Sequence, residues 1–161
     1  MRTIEGTHTA AGLRFAIVVS KYNDFITDRL QAGALATLAS AGVDPTDMTV
    51  VRVPGAFEMP IAPQHAAESG QYDAIVCIGC VIRGATPHFE YIASAVAHGL
   101  TSASAATGVP MAFGVLTTNS VEEAIERAGE GDGNKGREAA IAAVEMATVI
   151  AQLARQPSAK T

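Results

Sequence analysis

Ala74-Ile75-Val76-Cys77-Ile78-Gly79-Cys80-Val81-Ile82-Arg83-Gly84-Ala85-Thr86-Pro87-His88-Phe89-Glu90 is the stretch that decides the fold. Its first part, Ala74 to Cys80, is a continuous apolar run of strand length, the pattern of a strand buried on both faces. The alanine-rich run that begins at Pro87 reads as a long helix to about Ala106. A strand that passes through a short loop into a helix is the unit of a parallel sheet, because parallel strands need a crossover between them. The loop itself carries chemistry. Gly84 lets the backbone approach a ligand closely. Pro87 suits the first turn of a helix, where its missing N–H is no loss. Free N–H groups at that helix start, with Arg83 and Thr86 beside them, make an anion site. His88 lies within reach of whatever carries the anion, and an ordinary imidazole transfers protons near neutrality. The plain alternative is a strand-to-helix loop with a surface histidine.

Outward from this stretch the same unit recurs. Arg14 to Ser20 is a β-branched run, a second strand buried on both faces. Lys21-Tyr22-Asn23-Asp24 is a turn, and a helix follows from about Asp24 to Ala41. Its apolar positions Ile26, Leu30, Ala34, Leu35 and Leu38 share one face, and Gly42 suits the helix end. Met48 to Val53 is a strand that runs into Pro54-Gly55-Ala56-Phe57-Glu58, then a short helix from about Met59 to Ser69 ending at Gly70. After the long helix, Thr107-Gly108-Val109-Pro110 is a stop and Met111 to Thr117 a fourth strand. Ser120 and Glu123 form a capping box for a helix to about Ala128. Gly129 to Gly133 is a glycine-rich break, and a last helix runs from about Asn134 to Ala154. The expected architecture is therefore α/β: a three-layer α/β/α sandwich around a four-stranded parallel sheet of flavodoxin-like order 2-1-3-4. One domain covers residues 1–161, with a polar arm over 1–13 and a flexible tail over 155–161.

Composition limits the function. The 161 residues are 48% hydrophobic and 17% charged, which excludes a disordered chain. A low charged fraction with abundant alanine suggests a surface partly hidden by partners. The net charge of -5 argues against nucleic acid or an anionic membrane as the main partner. No apolar run has transmembrane length and residues 1–12 lack a signal-peptide core, so the expected location is the cytoplasm. Cys77 and Cys80 form a C-x-x-C, but both fall in a strand, where residues three apart face opposite sides, so buried packing is expected in place of redox or zinc chemistry.

Ligands of open parallel sheets bind outside the carboxyl ends of the strands. Tyr22 and Asn23 follow the first strand, Gly55 to Glu58 the second, the quoted loop the third, and the fourth carries Phe113. Aromatics can sandwich a flat ring, and Glu58 with backbone amides can hold a polyol. Each has a plainer reading. Tyr22, Phe57 and Phe113 taken singly are more often core, and Glu58 fits a helix cap. Arg127 near a helix end can complement the macrodipole, whereas Lys135 at a helix start is misplaced for it, a small argument that Lys135 faces a ligand. His8, His65 and His98 read as surface residues. Gly129 to Gly136 is no P-loop, because no hydroxyl residue follows Lys135 and no strand precedes the loop. It is no calcium loop either, since Lys135 stands at the required glycine. No G-x-G-x-x-G follows the first strand, and no His, Asp and Glu cluster has metal spacing.

Pro54-Gly55-Ala56-Phe57-Glu58, the run Gly79 to Phe89, Phe113-Gly114-Val115-Leu116-Thr117-Thr118 and Gly133-Asn134-Lys135-Gly136 together resemble the signature stretches of the lumazine synthase family, from about Arg14 to Leu153. The resemblance implies condensation of 5-amino-6-(D-ribitylamino)uracil with 3,4-dihydroxy-2-butanone 4-phosphate, a chemistry that asks for no metal or cofactor. It implies that Tyr22 stacks on the pyrimidine, where most members have Phe or Trp, and that Asn23, Ala56, Phe57 and Glu58 hold the ribityl chain. Val81 and Ile82 would meet the pyrimidine through their backbone. Gly84, Ala85 and Thr86 would help bind the butanone phosphate, and His88 would transfer protons. Phe113, Arg127 and Lys135 would come from a neighbouring subunit, with Arg127 on the phosphate in the role first suggested for Arg83, and Lys135 on the pyrimidine. The resemblance further implies a homopentamer, in some members an icosahedral shell of twelve pentamers, with the arm adding an edge strand to a neighbour's sheet and riboflavin synthase as a candidate partner. Two rivals stand beside this reading: a flavin- or phosphate-binding module without turnover, and a shell-forming structural protein. The joint presence of His88, Arg127 and Lys135 favours an enzyme.

Overall fold

The computed structural model describes residues 1–155. The tail expected over 155–161 lies, beyond Arg155, outside the described residues. The strands are β1 (Phe15–Ser20), β2 (Met48–Val53), β3 (Ala74–Ile82) and β4 (Met111–Thr118). The helices are α1 (Asp24–Ser40), α2 (Ile61–Glu68), α3 (His88–Thr107), α4 (Val121–Arg127) and α5 (Lys135–Ala154). All pairings are parallel, in the order β2-β1-β3-β4 that the alternation of elements predicts. Every residue of β1 is buried, and so is β3 up to Val81, because each lies between two strands and under helices on both faces. The edge strand β2 is less covered: Thr49, Val50 and Arg52 are exposed, and Arg52 reaches Asp28 and Gln31 of α1 at 3.2 and 3.4 Å.

The two faces carry separate cores. Phe15, Ile17, Val19, Val76, Ile78 and Cys80 pack against α1, α4 and α5, while Ala16, Val18, Ile75, Cys77 and Val115 pack against α2 and α3. Cys77 and Cys80 thus face opposite sides, as period-two alternation requires, and both are buried. Burial pushes both thiols up, Cys80 to about 11.

α1 buries Ile26, Leu30, Ala34 and Leu38 of the apolar stripe read from its spacing, with Leu35 partly buried against the same core, and Gly42, at φ +90°, ends it in the left-handed region. α1 and α5 approach so closely that a Cβ on Gly136 would overlap the carbonyl oxygen of Leu30, and one on Gly33 would collide with the side chain of Asn134. Asn134, only 4% exposed, caps α5: its Oδ1 accepts from the Arg137 amide at 3.0 Å, while its Nδ2 donates to the carbonyls of Arg29 (3.3 Å) and Gly129 (3.0 Å). The glycine-rich break is thereby tied to α1.

Two local expectations are corrected. A 3-10 turn, Ala56–Glu58, precedes α2, so that helix begins at Ile61 and not at Met59. In the capping box, Ser120 Oγ accepts from the Glu123 amide at 3.2 Å, but the Glu123 carboxylate accepts from Asn119, one residue earlier than the reciprocal pattern has it, at 2.9 Å. Residues 1–13 are irregular within the chain, as read; Glu5 and Thr7 bond to Gln152 and Thr148 of α5 at 2.7 and 2.9 Å, and Ala10 is buried with its amide on the carbonyl of Ala41.

Candidate active site

Strand order places β1 and β3 side by side with their crossovers leaving in opposite directions, which opens a crevice at their carboxyl ends. A cleft of about 510 Å³ lies there. Backbone ties hold its walls together. The amides of Lys21 and Tyr22 donate to the carbonyls of Val53 (2.8 Å) and Pro54 (3.1 Å), joining the loops after β1 and β2. The Arg83 amide donates to Thr118 at 2.8 Å, joining the loop after β3 to β4. Asn23 links the centre. It is the only non-glycine residue with positive φ among the described residues (φ 63°), and its Nδ2 donates to the carbonyl of Cys80 at 3.0 Å. Asparagine tolerates the left-handed region better than most residues, and here it turns the chain sharply from β1 into α1.

The structure brings together at this cleft Tyr22, Asn23, Ala56, Phe57, Glu58, Val81, Ile82, Gly84, Thr86 and His88. Tyr22 and Phe57 are 73% and 67% exposed, which overturns the core reading of these rings taken singly. Phe113, at 49%, is likewise no core residue. Glu58 sits in the 3-10 turn, and no side chain caps α2, so its cap reading fails too. His88 is exposed as the first residue of α3, behind Pro87; no side chain caps that helix, although the Glu90 amide donates to the Pro87 carbonyl at 3.0 Å. His8, His65 and His98 are surface residues as read.

Ala85, Phe113, Arg127 and Lys135 do not line this cleft. Phe113 borders a depression with Met146 and Ile150. Arg127 donates from Nη1 to the Glu123 carbonyl at 3.2 Å, the helix-end arrangement its position allows. Lys135 pairs with Glu138 at 2.9 Å, one turn on, which offsets its unfavourable place at a helix start and removes the small argument drawn from that misfit. Pro54, Cys80, Phe89 and Ile92 also line the cleft and were missed. The three-residue spacing of Phe89 and Ile92 behind His88 is the signal that reveals them. A larger groove of about 810 Å³ between α1 and α5 holds none of the predicted site residues. No helix among the described residues is long and apolar enough to cross a membrane.

A doubly wound parallel sheet with aromatic rings, a carboxylate, a histidine and an uncapped helix start at its switch point defines an α/β domain with a small-molecule site. The sequence model of the 6,7-dimethyl-8-ribityllumazine synthase family matches residues 12–151. A 6,7-dimethyl-8-ribityllumazine synthase from Nitratidesulfovibrio vulgaris (strain Miyazaki F) is 54% identical over 153 residues, covering 95% of this chain and 98% of that protein. The chain belongs to the lumazine synthase family.

Proposed function

We propose that the protein condenses 5-amino-6-(D-ribitylamino)uracil with 3,4-dihydroxy-2-butanone 4-phosphate to give 6,7-dimethyl-8-(1-D-ribityl)lumazine, phosphate and water. Family membership across nearly the whole chain carries this reading and favours it over a binding module or a purely structural protein. In it, Tyr22 stacks on the pyrimidine, Asn23 and Ala56 to Glu58 hold the ribityl chain, and the backbone of Val81 and Ile82 meets the ring. Gly84, Ala85 and Thr86 receive the butanone phosphate. The substrate amine attacks the substrate ketone, so the imine forms between the two substrates and no enzyme nucleophile is needed. The protein's part is orientation and proton transfer, the latter by His88.

Phe113, Arg127 and Lys135 act from the neighbouring subunit in this reading, which their position away from the cleft of their own chain supports. The assembly is a ring of five. The short break between α4 and α5 supports twelve rings closing into a shell, and the outer edge of β2, which pairs with β1 alone, supports strand addition by a neighbour's arm. Riboflavin synthase is the partner this activity suggests, and the cytoplasm its location. Mixing the protein with both substrates tests the activity: fluorescent lumazine is expected, and no product above the uncatalysed background would remove the reading. Light scattering that finds only pentamers or decamers would remove the shell.

A further inference from the structure

The turn after β2 is fixed at both ends. The Pro54 carbonyl accepts from the Tyr22 amide at 3.1 Å. Ala56 and Met59 are buried in the core under α2 and α3. Between these anchors the Glu58 amide donates to the Gly55 carbonyl at 3.3 Å, and the Met59 amide to the Ala56 carbonyl at 2.9 Å. The backbone of residues 54–59 therefore has little freedom to shift. Gly55 stands in this turn, yet its conformation does not ask for glycine. At φ −153° and ψ 179° it has extended backbone that any residue adopts. It lines the cleft, and so does Glu58.

What Gly55 provides is room. Apart from its chain neighbours, the one atom among the described residues within 4 Å of a Cβ on Gly55 would be Glu58 Oε2, at 3.2 Å. That is inside ordinary van der Waals contact, and with the backbone fixed it is the carboxylate that must give way. The contact is particular to this position: a Cβ on Gly84, in the same cleft, would meet nothing within 4 Å. No opposite charge fastens the carboxylate either, since none of the ion pairs among the described residues involves Glu58. A half-buried carboxylate on a cleft wall accepts hydrogen bonds from hydroxyl donors, and its direction decides which hydroxyls it reaches.

We propose that Gly55 is a positioning residue of the cleft: by lacking a side chain it seats the Glu58 carboxylate where that group accepts from neighbouring hydroxyls of a polyol, and so it sets the affinity of the site for the polyol chain. This rests on the proposed function for the ligand of Glu58. The test uses the assembled protein, Gly55→Ala, Glu58→Ala and the double variant. Calorimetry measures Kd for 5-amino-6-(D-ribitylamino)uracil and for 5-amino-6-(methylamino)uracil, which keeps the ring and lacks the polyol. Glu58→Ala is expected to weaken the ribityl compound roughly 10- to 100-fold, and Gly55→Ala about 3- to 10-fold, the scales of losing a hydrogen bond to a charged group and of misdirecting one. Neither is expected to change the affinity for the methylamino compound. In the Glu58→Ala background, Gly55→Ala is expected to add nothing, because the group it acts through is gone. Its Tm is expected not to fall, since alanine suits extended backbone. An unchanged ribityl Kd in Gly55→Ala, equal weakening of both compounds, or an undiminished effect in the Glu58→Ala background, as a methyl obstructing the ligand itself would give, would each overturn the proposal. Normal binding of the ribityl compound by Glu58→Ala would remove the role given to Glu58 and this proposal with it. Variants that behave as expected in a protein that forms no lumazine would support the proposal and remove the reaction alone.

Discussion

The layer of α1 and α5 and the layer of α2 and α3 rest on the same four strands but meet them differently. On the first side α5 meets the backbone of α1 at Gly136, Gly33 of α1 meets the side chain of Asn134, and that buried asparagine ties the intervening loop down. On the second side α2 is only eight residues long, and across the sheet Ser20 and Gly79 lie between Val53 and Val115. Tyr22 and Phe57 stand out into solvent at its rim. The close contact at these glycines should make the α1–α5 layer the rigid one, and the cleft lies at the rim of the other layer. Stability should then reside in the first layer and activity in the second.

Substitutions can break or sharpen that contrast. The largest effect is expected from Gly136→Ala, whose methyl overlaps the backbone of Leu30, an atom that cannot move aside cheaply. Unfolding in denaturant should show a loss of about 3 kcal/mol or more. A loss below about 1 kcal/mol would mean that the α1–α5 contact is not the rigid one. His88→Ala should leave the denaturation midpoint unchanged and slow lumazine formation roughly 10- to 10³-fold, the modest scale of one acid–base group. A larger drop with substrate binding intact would show that His88 does more than move protons. Asn134→Ala removes the cap of α5 and leaves carbonyls of Arg29 and Gly129 without their donor. It should lower stability by about 2 kcal/mol, and an unchanged thermal midpoint would contradict the anchoring role.

The smallest effect is a pH effect at the loop before β2. The Thr46 amide and then its hydroxyl bond to the Asp44 carboxylate and hold its pKa below the usual 3.8. A carboxyl depressed by folding stabilises above its unfolded value, and that contribution fades as pH falls through the lower folded value. The stability difference between the protein and Asp44→Ala should therefore be constant near neutrality and shrink below pH 3.8. A difference that grows on acidification would reverse the sign argued here.

The sheet was legible because strands buried on both faces read as unbroken apolar runs, and β1 and β3 do so without interruption. Most of the cleft was legible for a related reason: residues that follow the strands must collect at one edge of a parallel sheet. What could not be read depends on approach between distant segments. Gly33 and Gly136 look like ordinary helical glycines until α1 and α5 are seen to cross at them. Asn23 looks like a turn residue, and neither its left-handed backbone nor its bond to Cys80 is written locally. The pairing of Lys135 with Glu138 was open to a reader of helical spacing, but the macrodipole argument obscured it.

Cys77 and Cys80 turn the contrast between the layers into something that can be timed. They stand three residues apart on one strand, each packed in the core of a different face, with thiols raised by burial and so held in the unreactive protonated form. An alkylating reagent can reach the Cys77 sulfur only when the layer above it opens, whereas Cys80 also borders the cleft. With one cysteine replaced by alanine at a time, the labelling rate becomes a separate clock for each side of the same sheet.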